Sequence, residues 1–273
     1  MRVLLVFLLL AFENERSCSG SGPWPRGARS VAMGGVSGAL GGDVWSASLN
    51  PALCATIQKS LLAIDYVPAT FGLTELRRAG AALALPLGRT SLGIAGMQFG
   101  SELYRETWFS AGGAVRLGSD LCLGASLSLL SLSIHRYGSA AAVSLTIGGV
   151  LEPLPDLQCG WTVVNAAATR LGSSGERMAP AIIAGATTRL LDALLLSIDI
   201  WKEGRFPAEI HIGVEYSPLA IFSLRAGITH EPALYCAGFG VAVGPGRLDY
   251  GVSLHPVLGF THTLTCSCVI GEL

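Results

Sequence analysis

The chain has 273 residues and a formal net charge of −1, with 51% hydrophobic and only 14% charged residues, where a soluble domain carries roughly 25% charged residues. The near-neutral charge, without a basic stripe or charged tail, gives no footprint for a nucleic-acid partner. A mean hydropathy of +0.53 is membrane-like, yet no run of ~18 or more apolar residues marks a spanning helix. The longest stretch free of Asp, Glu, Lys and Arg, residues 250–271, holds His255, Pro256 and His262. Because lipid requires every backbone N–H and C=O to be paired internally, a closed β-barrel is the membrane architecture that remains.

In chain order, Arg2 followed by VLLVFLLLAF reads as the n-region and h-region of an export signal over residues 1–20, too short to span. The charged stretch that follows, ENERSCSGSG, leaves the cleavage site unplaced. Cys18 follows Glu15, Arg16 and Ser17, a poor lipobox, so export is the reading and lipidation a minor alternative.

Residues 21–59 form a separate segment that contains five glycines within nine positions, Gly34, Gly35, Gly38, Gly41 and Gly42, and then Asn50, Pro51 and Ala52. The spacing matches neither G-x-G-x-x-G nor G-x-x-x-x-G-K-[ST], and no apolar strand precedes it. A phosphate loop needs a strand to deliver its glycines to a helix N-terminus, so a nucleotide site is not supported.

From residue 60 to 273 the chain breaks into about ten-residue segments separated by turn signals, the mark of an outer-membrane barrel. Fourteen strands are expected near residues 60–68, 76–87, 89–99, 105–116, 119–134, 138–150, 156–164, 178–189, 191–201, 206–217, 219–228, 233–243, 246–255 and 258–270. Tight links (LGR, GSD, EPLP, RLLD, SPL, GPG) alternate with a set that includes the long ones at 69–75 and 165–177, which suits periplasmic turns and outer loops. Alternation is clear in RLDYGVSLH, where Leu248, Tyr250, Val252 and Leu254 oppose Arg247, Asp249, Gly251, Ser253 and His255. In 119–134 the apolar row changes face near Leu129 and Leu130, and a β-bulge is expected there. Trp45, Trp108, Trp161, Trp201 and the tyrosines are candidates for interface girdles.

A soluble β-sandwich alternates as well, so a soluble lipid-binding β-protein stays as an alternative. Too few charges to cover such a sandwich tilt the reading toward the membrane. Inward polar positions should be Asp199, His211, Glu215, Arg225, Arg247 and Asp249, with Arg225 near His211 across a tight turn at Pro218. A mutual ion-pair network is the expected role, rather than a headgroup site. No G-x-S-x-G or other catalytic spacing occurs, so no enzyme is expected. The seven cysteines form no C-x-x-C and no zinc-like Cys/His spacing, so no metal or cofactor is called for.

The stretch GARSVAMGGVSGALGGDVWSASLNPALCA, with its G-A-R-x-x-x-M-G-G run leading to N-P-A, resembles the N-terminal signature of the PorV/PorQ group of outer-membrane proteins, relatives of the FadL long-chain fatty-acid transporters. The C-terminal LRAGITHEPALYCAGFGVAVGPGRLDYGVSLHPVLGFTHTLT is similar to that group's closing hairpins. The resemblance implies a 14-stranded outer-membrane barrel with Gly34, Gly35, Asn50, Pro51 and Ala52 in a lumenal hatch. It implies outer-membrane lipid as surroundings, and either a hydrophobic ligand passing through the barrel or partner proteins of a type IX-like secretion system.

Overall fold

Val, Ile, Leu, Phe and Tyr recur at every second residue opposite Gly, Ala, Ser and Thr, and only a strand places such a row on one face. The computed structural model describes residues 26–172, 176–204 and 206–271. The expected signal, residues 1–20 with Cys18, lies outside them. The strands are β1 (Leu61–Val67), β2 (Arg78–Leu87), β3 (Thr90–Gly100), β4 (Tyr104–Leu117), β5 (Leu121–Ile134), β6 (Gly138–Leu154), β7 (Leu157–Val164), β8 (Arg170–Leu171), β9 (Glu176–Arg177), β10 (Ala181–Leu191), β11 (Leu194–Glu203), β12 (Glu209–Leu219), β13 (Phe222–His230), β14 (Leu234–Val243), β15 (Gly246–His255) and β16 (Gly259–Val269).

Fourteen of these close into one antiparallel barrel, sealed by β1 against β16 (Leu61 opposite Val269), while β8 and β9 pair only with each other. All fourteen expected segments correspond to barrel strands. The short turns gather at one end, here the turn end, with the start of β1 and the close of β16; the longer connections form the loop end. No helix among the described residues is long and apolar enough to cross a membrane. The barrel instead turns an apolar surface outward: Leu62, Ile64 and Tyr66 are exposed while Ala63, Asp65 and Val67 are buried. A closed cylinder with an oily exterior is a transmembrane fold and replaces the soluble-sandwich alternative.

Two expectations fail here. The pairing of β5 with β4 and β6 runs without a register shift from Leu121 to Ile134, so there is no bulge at Leu129 and Leu130. The apolar row changes face because the surroundings do. Phe109, Leu129 and Val143 lie side by side and outward on β4, β5 and β6; beyond them, toward the loop end, the outward residues are Arg105, Thr107, Ser131, Ser133 and Ser139, and Leu130, Leu132 and Ile134 point inward. The polar exterior of this loop-end part suits water rather than lipid. The girdle expectation also fails for three of its four tryptophans: Trp45, Trp108 and Trp201 are buried, whereas Trp161 and the tyrosines Tyr66, Tyr216 and Tyr235 are exposed.

Residues 26–60 fill the lumen. Helix α1 (Ala28–Ala32), helix α2 (Val44–Leu49) and a 3-10 turn over Pro51–Thr56 bury Ala28, Ala32, Met33, Val36, Leu53 and Trp45 against the inward faces of the strands. Gly34 (φ 74°) and Gly35 (φ 83°) end α1 in the left-handed region, where a side chain is strained. Asp43 caps α2 through Trp45 N–H at 3.1 Å, and Asn50 caps the 3-10 turn through Ala52 N–H at 3.2 Å, with Pro51 as its first residue.

Candidate functional site

The lumen holds a charged layer, an apolar panel and cavities on either side of the hatch. In the charged layer, Arg29 of α1 forks onto Glu215 of β12, with Nε 2.9 Å from Oε2 and Nη2 2.8 Å from Oε1. Arg225 of β13 donates to the same carboxylate at 2.6 Å and to Asp249 Oδ1 of β15 at 2.7 Å. Arg247 completes the chain, its Nε 2.9 Å from Asp249 Oδ1. Burial lowers the pKa of Arg29, but the charge and hydrogen bonds of Glu215 outweigh it and hold the guanidinium pKa above its ordinary value. Arg29 also donates to Gly41 O at 2.9 Å, so the layer grips the hatch at two points.

A second grip is reversed in polarity. Asp199 of β11 accepts from the consecutive N–H groups of Ser37 and Gly38 at 2.7 and 2.8 Å, a small backbone nest around a carboxylate. His211 Nδ1 donates to Gly34 O at 2.6 Å, and Thr229 Oγ1 donates to the same oxygen at 2.8 Å. Asn50 Nδ2 donates to Gly38 O at 2.7 Å and so joins the two halves of the hatch. At the barrel seam, Ala28 N–H donates to Thr265 Oγ1 at 2.8 Å, and Thr265 Oγ1 donates to Asp65 at 2.7 Å. Replacing Asp199 by Ala should cost about 1–3 kcal/mol, because two buried N–H groups lose their acceptor. Hydrogen exchange at Ser37 and Gly38 should then speed up roughly tenfold or more, while amides of β3 stay protected.

All eleven residues expected at the site line or fill the lumen, but one relation is wrong. Strand β12 continues to Leu219, so the turn is centred two residues beyond Pro218, and Arg225 stands opposite Glu215 while His211 stands opposite Thr229 and Asp199. A shift of two residues in the turn moves every pairing by four. Arg26 and Trp201 were not foreseen as a pair. The Arg26 guanidinium stacks 4.4 Å over the Trp201 ring, whose other neighbour is His211 at 5.1 Å. Burial pulls the pKa of Arg26 down, against the pull of Glu209.

Two cavities flank the hatch. One of about 350 Å³ lies at the loop end, with Arg26, Gly34 and Gly35 below, Val67, Phe71, Phe99, Leu234 and Trp201 around it, and Arg78, Lys202 and Glu209 at intervals. The other, about 280 Å³, lies at the turn end beside Arg29, Leu40, Gln158 and Thr187. The inward face of the β4–β6 panel adjoins the first cavity through Phe99, which pairs with Glu106. Leu130 on that face packs against the cluster that contains Met97 and Trp108. The misread alternation near Leu129 was the signal for this panel: an apolar row that changes face in an unbroken strand marks a change of solvent. Among the described residues no group of three His, Cys, Asp or Glu converges to hold a metal ion, and their six cysteines are free thiols.

No protein-family model and no curated protein matches the sequence. Solved structures do resemble the fold. The Ralstonia pickettii toluene transporter TbuX superposes with a TM-score of 0.71 at 14% identity, covering 91% of this chain and 99% of its own. The CymD monoaromatic hydrocarbon channel gives 0.69 at 14% identity over 90% and 98%. A Pseudomonas aeruginosa FadL homologue gives 0.66 at 11% identity over 90% and 98%. The chain therefore has the closed, fourteen-stranded fold of the FadL-like outer-membrane barrels.

Proposed function

We propose that the protein is an outer-membrane channel that admits a small hydrophobic molecule past a lumenal hatch formed by residues 26–60. The observation that carries this reading is the inward apolar face of the β4–β6 panel, which lies beside Phe99 in the wall of the cavity at the hatch. An oily surface turned away from lipid and toward a lumen suits a solute that prefers it to water. The toluene transporter and monoaromatic hydrocarbon channel among the fold neighbours support the same solute class. The ion pairs Arg29–Glu215 and Arg225–Asp249 serve to hold the hatch, and Asp199, His211 and Asn50 fix its loop.

Cells that express the protein should accumulate labelled toluene faster than cells without it. Leu132→Asp, which places a charge in the apolar face, should lower that rate by about tenfold without loss of the folded, heat-modifiable band. Equal rates with and without the protein would end the proposal. The secretion reading carried by the PorV/PorQ-like ends predicts the opposite pattern: unchanged toluene uptake and altered surface delivery of secreted proteins.

A further inference from the structure

The loop-end half of the panel's inward face is apolar except at one point. Tyr104, Glu106 and Trp108 face inward on β4, and across from them on β5 stand Ile134, Leu132 and Leu130. On the other side Glu106 is opposite Phe99 of β3, which lines the 350 Å³ cavity. Glu106 is thus a carboxylate between Phe99 and Leu132, and Tyr104 donates its hydroxyl hydrogen to Oε1. No cation pairs with Glu106 among the described residues. The basic groups of the neighbouring cavity are engaged elsewhere: Arg78 with Asp65 at 3.0 Å, Lys202 with Phe206 O at 2.6 Å, and Arg26 over Trp201.

A polar group in an apolar wall costs free energy unless it is hydrogen-bonded. A carboxylate offers about four lone-pair sites, of which the tyrosine takes one, so acceptor capacity is left toward the lumen. A solute that is apolar but carries one O–H or N–H donor satisfies it, a plain hydrocarbon leaves it dry, and an organic carboxylate meets like charge. Sites built to accept a donor separate such analogues far better than apolar pockets separate shapes.

Resting on the channel reading above, we propose that Glu106, positioned by Tyr104, is a specificity residue that selects hydrophobic solutes bearing a hydrogen-bond donor, such as phenols and alcohols, over hydrocarbons and over carboxylates. Full-length protein in detergent micelles, assayed by equilibrium dialysis against empty micelles, should bind 4-methylphenol about tenfold more tightly than toluene, and 4-methylbenzoate most weakly. Glu106→Leu should bring the phenol-to-toluene ratio to about one and strengthen 4-methylbenzoate binding; Tyr104→Phe should keep the preference in part, which checks that the strand is intact. A ratio that is flat in the wild type, or unchanged in Glu106→Leu, overturns the inference while toluene binding and uptake leave the channel reading in place. Failure of the wild type to bind any of the three overturns both.

Discussion

A barrel carrying Gly227→Val and Gly160→Val should conduct ions across a planar bilayer, whereas the wild type, with its lumen filled, should show no steady conductance. A Cβ on Gly227 would run into the backbone of Met33 and Gly34, and one on Gly160 into Gly38 O. Neither obstacle is a flexible side-chain end, so the hatch must shift away from the wall. Overpacking of this kind costs roughly 1–3 kcal/mol at each position. Two positions four strands apart, one against Met33 and Gly34 and the other against Gly38, leave the hatch little room to compensate. The strands themselves remain hydrogen-bonded to their neighbours, so the closed cylinder should survive. Gly96→Ala is the control: its Cβ meets Phe109 at 3.7 Å and Trp108 O at 3.9 Å, ordinary contacts, and conductance should stay absent. If the double variant is as silent as the control, the hatch is not held by close approach to these glycines.

Glu215→Ala should destabilise the folded barrel by about 3–5 kcal/mol, because it removes the carboxylate onto which Arg29 forks and one of the two carboxylates that hold the buried Arg225. Arg29 and Arg225 both spend their strongest hydrogen bonds on this carboxylate, and the Arg225 side chain has no exposure with which to recruit water. Glu215→Gln should retain part of the stability, since the amide oxygen still accepts. Arg247→Ala is expected to cost far less, under about 1 kcal/mol, because that side chain is 32% exposed and its pair is screened. Urea unfolding in lipid vesicles, followed by the fluorescence of the buried tryptophans, measures all three. A Glu215→Ala midpoint equal to that of Arg247→Ala would show that the charged layer does not hold the hatch.

The fold was legible in the sequence to an unusual degree, and the reason is specific to lipid. A strand that crosses a bilayer must show apolar residues on one face for its whole height, so the rows in β12, β13 and β15 could be read residue by residue. The absence of any long apolar run excluded helices, and the turn signals set the number of strands. The same one-dimensional pattern identified Asp199, Glu215, Arg225 and Asp249 as inward, since period-two alternation assigns a face without knowledge of the neighbours.

What the sequence could not supply was pairing across space. Register depends on where a turn is centred, and the position of Pro218 misplaced that centre by two residues, which is why Arg225 was assigned to His211 rather than Glu215. The grip of Asp199 on Ser37 and Gly38 joins residues 162 and 161 positions apart, and no local signal announces it. The change of face at Leu130 was visible as a pattern but meaningless without the unbroken register of β4–β6, because the same alternation arises from a bulge or from a change of solvent. Alternation and charge scarcity therefore determined the cylinder and which side chains enter it, through the demand that lipid makes on each strand alone; only the closed tertiary structure, by bringing distant strands and the hatch into one register, decided which of those side chains meet.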